Sequence, residues 1–322
     1  MREINILITS VGRRVELVKL FARAKSALGV SGKIVTADIT KTAPALQFGD
    51  AAYIIPRISD DNFVQSVIDI CNKEDIALIV PTIDTELEKL AQNKEFIESQ
   101  TRAKALVSSP RVIEICNDKR KTAQFFAENN FLTPRTLTKF DLQKGDYNFP
   151  LFVKPLNGSS SQNAYKINNE NELEFFSEYV PNAIIQECAS GKEYTIDVFV
   201  DFDGNVVSVV PRQRLATRAG EIQKGKIEKN DYLIAETKKM IAKLKPIGHI
   251  TAQGFLGQDG VFRFIEINPR FGGGAPMSIL AGADSPQFLY RLLRGEKLEY
   301  VENFRDGVVF SRFDDCVEVE ND

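Results

Sequence analysis

The stretch TAQGFLGQDGVFRFIEINPRFGGG, residues 251–274, decides how the rest of the chain is read. Asp259-Gly260 is a hairpin signal, and VFRFIEI at 261–267 is rich in β-branched and aromatic residues, so the segment reads as two strands joined by a tight turn. Side chains at i and i+2 share a strand face, which sets Glu266 and Asn268 side by side at the end of the second strand. Gln253 on the first strand faces them, and Arg270 lies just beyond, before three glycines break the pattern. Two adjacent oxygens, a third across the hairpin and a guanidinium suit a hard cation that also holds substrate phosphates. A solvated strand end running into a glycine turn would give the same pattern. The remainder of the chain has to discriminate.

Composition narrows the classes. The chain has 322 residues, 43% hydrophobic and 26% charged, enough for two or three compact domains with real cores. The opening MREINILITS carries no apolar run with a cleavage site, and nowhere do about 18 apolar residues stand together. A cytoplasmic location with no membrane association is expected. Cys71, Cys116, Cys188 and Cys316 lie far apart with no CxxC pairing, which argues against a zinc site or a disulfide framework. The one histidine, His249, leaves no material for a His cluster, and nothing beside it resembles a nucleophile motif. A net charge of −3 without a basic block gives no footprint for nucleic acid, so partners are expected to be small molecules.

The first hundred residues alternate strands and helices: INILI (4–8), VELVKLFARAKSAL (15–28), KIVTA (33–37), AYIIP (52–56), FVQSVIDIC (63–71) and IALIV (76–80). This βαβ order predicts a doubly wound, mainly parallel sheet working at its strand carboxyl ends. The first βα turn, TSVGRR, holds one glycine, too few for a dinucleotide fingerprint. Arg13 and Arg14 there hold an anionic group or are solvated surface. Asp38 ends the second strand and is uninformative without the glycines. In PTIDTELEKL (81–90), Asp84 and Glu86 face the cleft, or Thr82 or Asp84 simply caps a helix.

A boundary falls near 108–118, where Pro110 opens a short helix and Asn117 or Asp118 caps the next. Beyond it, PLFVK (150–154), AYKI (164–167), AIIQE (183–187), EYTIDVFVDF (193–202) and NVVSVVP (205–211) are strands with few helices between them, antiparallel α+β material with a hairpin at Asp203-Gly204. AGEIQKGKIEKN (219–230) is the most polar segment and is expected to be a mobile loop.

Three further features stand beside the hairpin. In VKPLNGSSSQNA, Lys154 ends a strand before a turn of small residues whose N–H groups and hydroxyls can wrap phosphate oxygens; a flexible loop is the plainer reading. IIQECASGKEYTID (184–197) is a strand end, a crossing segment able to meet an adenine edge, and Glu193 positioned for ribose, or else an ordinary connection. In PRQRLATR, Arg212, Arg214 and Arg218 share one parity and form a cationic stripe or a solvated edge.

The order Lys119, Lys154 with its Gly/Ser loop, QE…GKE, an arginine-bearing strand, then Gln253 and EINPR resembles the ATP-grasp superfamily, and within it ligases like the carbamoyl-phosphate synthase large subunit, a group that includes the pyrrolysine-pathway ligase. Each motif is weak alone; five in the family's order are strong. The resemblance implies an α/β and α+β chain: a doubly wound, Rossmann-like pre-ATP-grasp domain over 1–108, then a two-subdomain ATP-grasp fold over 109–322 with its lid at about 133–187. It implies ATP with Mg²⁺, or Mn²⁺ in its place. Lys119 and Lys154 would hold phosphates under the loop containing Gly158, Ser159, Ser160 and Ser161. Gln186, Glu187 and Ala189 would frame adenine, with Glu193 on the ribose. Gln253, Glu266 and Asn268 would ligate metal, Arg270 and Lys154 would serve phosphoryl transfer, and Arg212, Arg214 and Arg218 would meet the γ-phosphate or the substrate carboxylate. Gln253 replaces a carboxylate and lowers the charge available to two ions.

The implied activity is ATP-dependent, ADP-forming carbon-nitrogen ligation of a small carboxylate and an amine through an acyl phosphate, which needs positioning and charge neutralisation but no histidine. A homodimer is compatible with this reading. The chain has room for one ATP-grasp unit, whereas carbamoyl-phosphate synthase contains two, so that full activity is not expected. The alternatives are a catalytically silent ATP-binding regulator, a phosphotransferase on the same fold and, last, a Rossmann oxidoreductase.

Overall fold

The computed structural model describes residues 3–156 and 163–319. Its first hundred residues form β1 (Asn5–Thr9), α1 (Val15–Ala27), β2 (Ile34–Asp38), β3 (Ala51–Ile54), α2 (Phe63–Lys73), β4 (Ile76–Pro81), α3 (Asp84–Gln92), α4 (Lys94–Gln100) and β5 (Lys104–Ala105). The strands make a parallel sheet in the order β3-β2-β1-β4-β5. Helices cover both faces of its centre, which is why β1 and β2 are buried at every position and read as mainly apolar runs rather than alternating ones. Strand order reverses between β1 and β4, so their carboxyl ends open a crevice where Ser10, Arg14, Thr82 and Asp84 gather.

The α3 start differs from the expected cap. Neither Thr82 nor Asp84 performs it: the Thr82 and Ile83 N–H groups donate to Glu86 Oε1 at 2.8 and 3.3 Å, and Ser10 donates to Glu86 Oε2 at 2.8 Å. A carboxylate three positions into the helix reaches back to orphan donors, as in a capping box. Glu86 is thereby fully buried and Asp84 is left facing the crevice.

The chain then passes through α5 (Pro110–Asn117) and α6 (Lys119–Glu128), the latter capped by Asp118. A small antiparallel sheet in the order β7-β6-β8 follows, from β6 (Leu151–Pro155), β7 (Tyr165–Ile167) and β8 (Ala183–Glu187), accompanied by α7 (Lys139–Lys144) and α8 (Glu170–Tyr179). Its own core is Leu151, Val153, Ile167, Leu173 and Ile185.

The remaining strands are β9 (Lys192–Val200), β10 (Val206–Arg218), β11 (Glu221–Ile227), β12 (Gly248–Leu256), β13 (Phe262–Asn268) and β14 (Val309–Ser311), with α9 (Asp231–Leu244), α10 (Ala275–Ala281) and α11 (Ser285–Leu293). They form an antiparallel sheet in the order β13-β12-β9-β10-β11-β14. Alternation, reset in β13 by a register shift at Ile265, sorts its faces. Tyr194, Ile196, Val198, Ile250, Ala252 and Phe264 point into a core shared with α6 and α9. Glu193, Thr195, Asp197, Arg212, Arg214, Thr251, Gln253 and Glu266 fall on the other side. Toward α11 that side turns apolar, and Phe21 of α1 meets Phe271 and Tyr290 at 5.9 and 6.3 Å.

Two expectations are corrected. Residues 221–227 of the supposed mobile loop are β11, paired to β10 and β14, because Ile222, Gly225 and Ile227 are buried between half-buried or exposed polar positions. The arginine stripe is broken by register shifts around Ala216, which turn Arg218 out to solvent beside Asp314. No helix among the described residues is long and apolar enough to cross a membrane.

Candidate functional site

A cavity of about 460 Å³ opens between the small sheet and the polar face of the large one. Lys119, Lys154, Gln186, Glu187 and Ala189 reach it from α6 and the small sheet. Glu193, Arg214, Gln253 and Glu266 reach it from the large sheet. Residues spread over nearly 150 positions of sequence thus share one wall. The turn carrying Gly158, Ser159, Ser160 and Ser161 lies outside the described residues.

Lys154 is 9% exposed. Burial lowers its ammonium to about 8; Glu266 opposes the drop and neighbouring Lys119 adds to it. Lys119 is likewise lowered, mainly by burial, and donates to the Leu156 carbonyl at 3.3 Å. Two partly desolvated ammonium groups thus stand near Glu266, and burial makes an incoming polyanion a favourable partner for them.

Gln253 and Glu266 stand directly opposite each other on β12 and β13. Asn268 Nδ2 donates to Glu266 Oε1 at 3.2 Å, so the two side chains that share a strand face do meet. The Gln253 amide is engaged at both ends: Nε2 donates to Glu193 Oε1 at 2.6 Å, and Oε1 accepts from Arg214 Nη1 at 3.4 Å. Arg214 closes the triangle with an ion pair to Glu193 at 3.2 Å and anchors on the Gly220 carbonyl at 2.7 Å. Burial raises Glu193 above the usual carboxylate range, against the pull of Arg214 and Gln253.

The crossing segment after β8 is held by backbone: Glu187 N–H donates to the Arg135 carbonyl at 3.0 Å and Cys188 N–H to the Pro150 carbonyl at 3.2 Å. Gln186 is 5% exposed and donates to Thr136 Oγ1 at 2.8 Å. Gly191, at φ +126°, packs so closely on β12 that a Cβ would stand 2.2 Å from the Leu256 carbonyl oxygen.

Arg212 stands behind this wall, and Arg270 at its edge beside Asn268. Arg212 is 1% exposed and donates Nη2 to Asp197 Oδ2 at 3.0 Å, beneath Gly274, whose Cβ would lie 2.5 Å from the guanidinium. Ser278 at 2.5 Å and Thr251 at 3.3 Å also donate to Asp197, while His249 Nε2 approaches it to 3.6 Å. Burial alone would raise Asp197, but Arg212 and then His249 hold its carboxyl far below the usual range. The arginine therefore braces the glycine loop. Arg270 donates to Asp84 Oδ2 at 2.6 Å and to Asn268 Oδ1 at 3.4 Å, tying the parallel sheet to the hairpin.

Several lining residues went unread in the sequence. Phe152, Phe255 and Ile265 supply apolar walls, and Lys166 adds a third lysine opposite Phe152. Strand parity with Lys154 and Gln253 was the available signal for Phe152 and Phe255; Ile265 faces the cavity through the register shift in β13. Asp197, in the middle of an apolar strand, was a visible anomaly.

Comparison with known proteins agrees with this layout. The family described as PylC-like, N-terminal domain matches residues 6–103, and that described as ATP-grasp in the biosynthetic pathway with Ter operon matches residues 179–316. A carbamoyl-phosphate synthase of Methanobrevibacter smithii is 26% identical over 171 residues, covering 52% of this chain and 45% of the relative. The chain spans about half the length of the curated relatives it matches first. Among solved structures, the biotin carboxylase domain of Hydrogenobacter thermophilus 2-oxoglutarate carboxylase, a complex with MgADP and bicarbonate, superposes with TM-score 0.76 at 17% identity over 96% of this chain and 74% of that one. The Staphylococcus aureus N5-carboxyaminoimidazole synthetase with ADP gives 0.74 at 17% identity, over 93% and 80%.

Proposed function

We propose, from the premise that this chain belongs to the ATP-grasp superfamily, that it is an ATP- and Mg²⁺-dependent ligase joining a small carboxylate to an amine through an acyl phosphate. The observation that carries this reading is that Lys119, Lys154 and Glu266 meet in one cavity that the Gln186–Ala189 segment also lines.

The residues fit the groups. Two lysines weakened by burial regain charge beside phosphates, and Phe152, Phe255 and Ile265 offer apolar surface to a base whose edge meets the backbone at 186–189. Glu193 is at hand for ribose hydroxyls once its ties to Gln253 and Arg214 rearrange. One carboxylate, Glu266, with the amide oxygens of Gln253 and Asn268, suits Mg²⁺, which keeps the rest of its shell for phosphate oxygens and water. When bound, that ion neutralises charge on the transferring phosphoryl group.

A substrate carboxylate oxygen then attacks the γ-phosphorus, the bond to the leaving ADP oxygen breaks, and Arg270 is the donor beside the developing charge. An amine displaces phosphate from the acyl group in a second step. Water must be kept out meanwhile, and the small sheet with its flanking helices, residues 133–187, is the candidate lid of an ATP-grasp domain beginning at residue 109.

The test is ADP release from ATP and Mg²⁺ across a panel of acids, each with hydroxylamine present to trap an acyl phosphate as hydroxamate. Acid-dependent ADP with matching hydroxamate is the expected result. Normal ATP binding with no ADP for any acid would remove the ligase assignment.

A further inference from the structure

Five charged side chains outside the nucleotide cavity converge where the two halves of the chain meet. Arg14 precedes α1 and Asp84 opens α3, both at the crevice between β1 and β4; Glu221 opens β11, while Arg270 and Arg312 follow β13 and β14. Arg270 Nη2 lies 2.6 Å from Asp84 Oδ2, and Arg312 Nη1 lies 2.9 Å from Glu221 Oε2. A Cβ on Gly273 would stand 2.1 Å from Glu221 Oε2 and 3.0 Å from Arg14 Nη1, so a carboxylate and a guanidinium flank one backbone atom.

The cluster is not saturated. Arg14 is half-buried, and its guanidinium makes a long bond of 3.5 Å to the Thr82 carbonyl. Burial, and then the nearby Arg270, lowers Arg14 to about 10. The Arg270 side chain is 10% exposed and its Nε is buried without a hydrogen-bond partner. Three guanidinium groups face two carboxylates, each already paired to an arginine, which leaves room for one more negative charge beside Arg14; Asp84 and Glu221 are the carboxylates that a positive group on the same molecule would meet. The cluster adjoins the phosphoryl end of the cavity: Arg270 donates to Asn268, and Gly220, beside Glu221, lines the cavity itself.

We propose that this junction binds the acid substrate as a compact zwitterion, an α-amino acid or close analogue, with its carboxylate toward Arg14 and Arg270 and its ammonium toward Asp84 and Glu221. The assignment rests on the ligase reading above. It has a chemical consequence. An amine held as ammonium between two carboxylates has no lone pair, so it cannot attack the acyl phosphate formed on its own molecule, and the amine that completes the reaction must arrive uncharged from elsewhere. The bond changes are those of the ligase reaction: carboxylate oxygen to γ-phosphorus formed, γ-phosphorus to ADP oxygen broken, with no redox partner.

The experiment uses the full chain with ATP, Mg²⁺ and hydroxylamine, and compares each α-amino acid with the desamino acid of the same carbon skeleton. A site built to pair an ammonium rejects the analogue lacking it, so kcat/KM for the desamino acid should fall by about 10²-fold or more. Glu221→Gln should raise KM for the amino acid and narrow that gap while MgATP still binds; Asp84→Asn provides the same reading should Glu221→Gln fold poorly. Equal use of desamino acids, or a gap that neither variant moves, overturns the zwitterion assignment and leaves the ligase standing. No ADP with any acid, despite ATP binding, overturns both.

Discussion

Arg270 Nη2 and Asp84 Oδ2 stand 2.6 Å apart although 186 residues separate them, and the pair joins the end of β13 to the first turn of α3. One guanidinium thus touches the helix that follows β4 and the candidate metal ligand Asn268. A transition-state donor is effective when its direction is fixed beforehand. Replacing Arg270 by Ala should lower the rate of ADP release by about 10²-fold or more. Glu266→Gln should instead raise the Mg²⁺ concentration needed for half-maximal rate. Steady-state assays at saturating ATP with varied Mg²⁺ separate the two, and unchanged rates in both would place the reaction elsewhere.

Lys154 predicts a pH effect with a definite sign. Its folded value, about 8, lies below the ordinary 10.5 because burial penalises the charged form. Between those values the unfolded chain keeps a proton that the folded chain has lost, so stability rises with pH through that window, and below it the penalty is constant. Lys154→Met should stabilise the ligand-free protein at pH 7 by up to roughly 3 kcal/mol and abolish ATP binding. Urea titrations at pH 7 and pH 10 measure the first; calorimetry with ATP measures the second. Wild-type ATP affinity should fall as pH rises above about 8.

Asp197 gives the same sign of pH dependence in a lower window, as a stabilising charge rather than a penalty. Its carboxylate is ionised against Arg212 and His249, so its contribution is present above the ordinary carboxyl range and is lost as pH falls below it. Asp197→Asn leaves Arg212 buried without its counter-ion, and should cost about 3–5 kcal/mol. Denaturant unfolding at pH 7 is the measurement. A loss under 1 kcal/mol would show that Arg212 had found other partners.

Two glycines at positive φ provide a matched pair. Gly204, at φ +88°, has nothing within 4 Å of an added Cβ, whereas Gly191, at φ +126°, would drive one to 2.2 Å from the Leu256 carbonyl oxygen. Gly204→Ala should therefore cost about 1 kcal/mol and leave nucleotide binding alone. Gly191→Ala should cost on the order of 3 kcal/mol and weaken ATP binding, since it displaces the Cys188–Gly191 segment. Equal urea midpoints for the two variants would contradict the close approach of that segment to β12.

Local chemistry made much of this architecture legible in advance. The β1–β4 alternation and the Asp259-Gly260 hairpin follow from periods and turn residues that operate over a few positions, whereas the pairing of Gln253 with Glu266 also needs the register shift that skips Ile265. What escaped was decided over long range. β11 looked like a loop because Lys224 and Lys226 are polar, yet its buried Ile222, Gly225 and Ile227 acquire meaning once β10 and β14 lie on either side. The arginine stripe failed because a bulge, invisible in parity, intervenes after Arg214. The meeting of Arg14, Glu221 and Arg312 has no trace in sequence, since each belongs to a different segment and acquires its neighbours only when the two sheets pack.

Phe21 of α1, seated edge-on against Phe271 and Tyr290, makes the two halves share one apolar interior, to which Phe199 and Phe288 also belong. A fragment ending near residue 108 would carry that aromatic plug with no socket, and the complementary fragment would expose the socket, so neither should be recoverable as a well-behaved protein. Exchange of N-terminal modules between homologues to alter substrate choice must accordingly transplant the α1 contact surface along with Arg14, or the hybrid will lose its fold before its selectivity can be assayed.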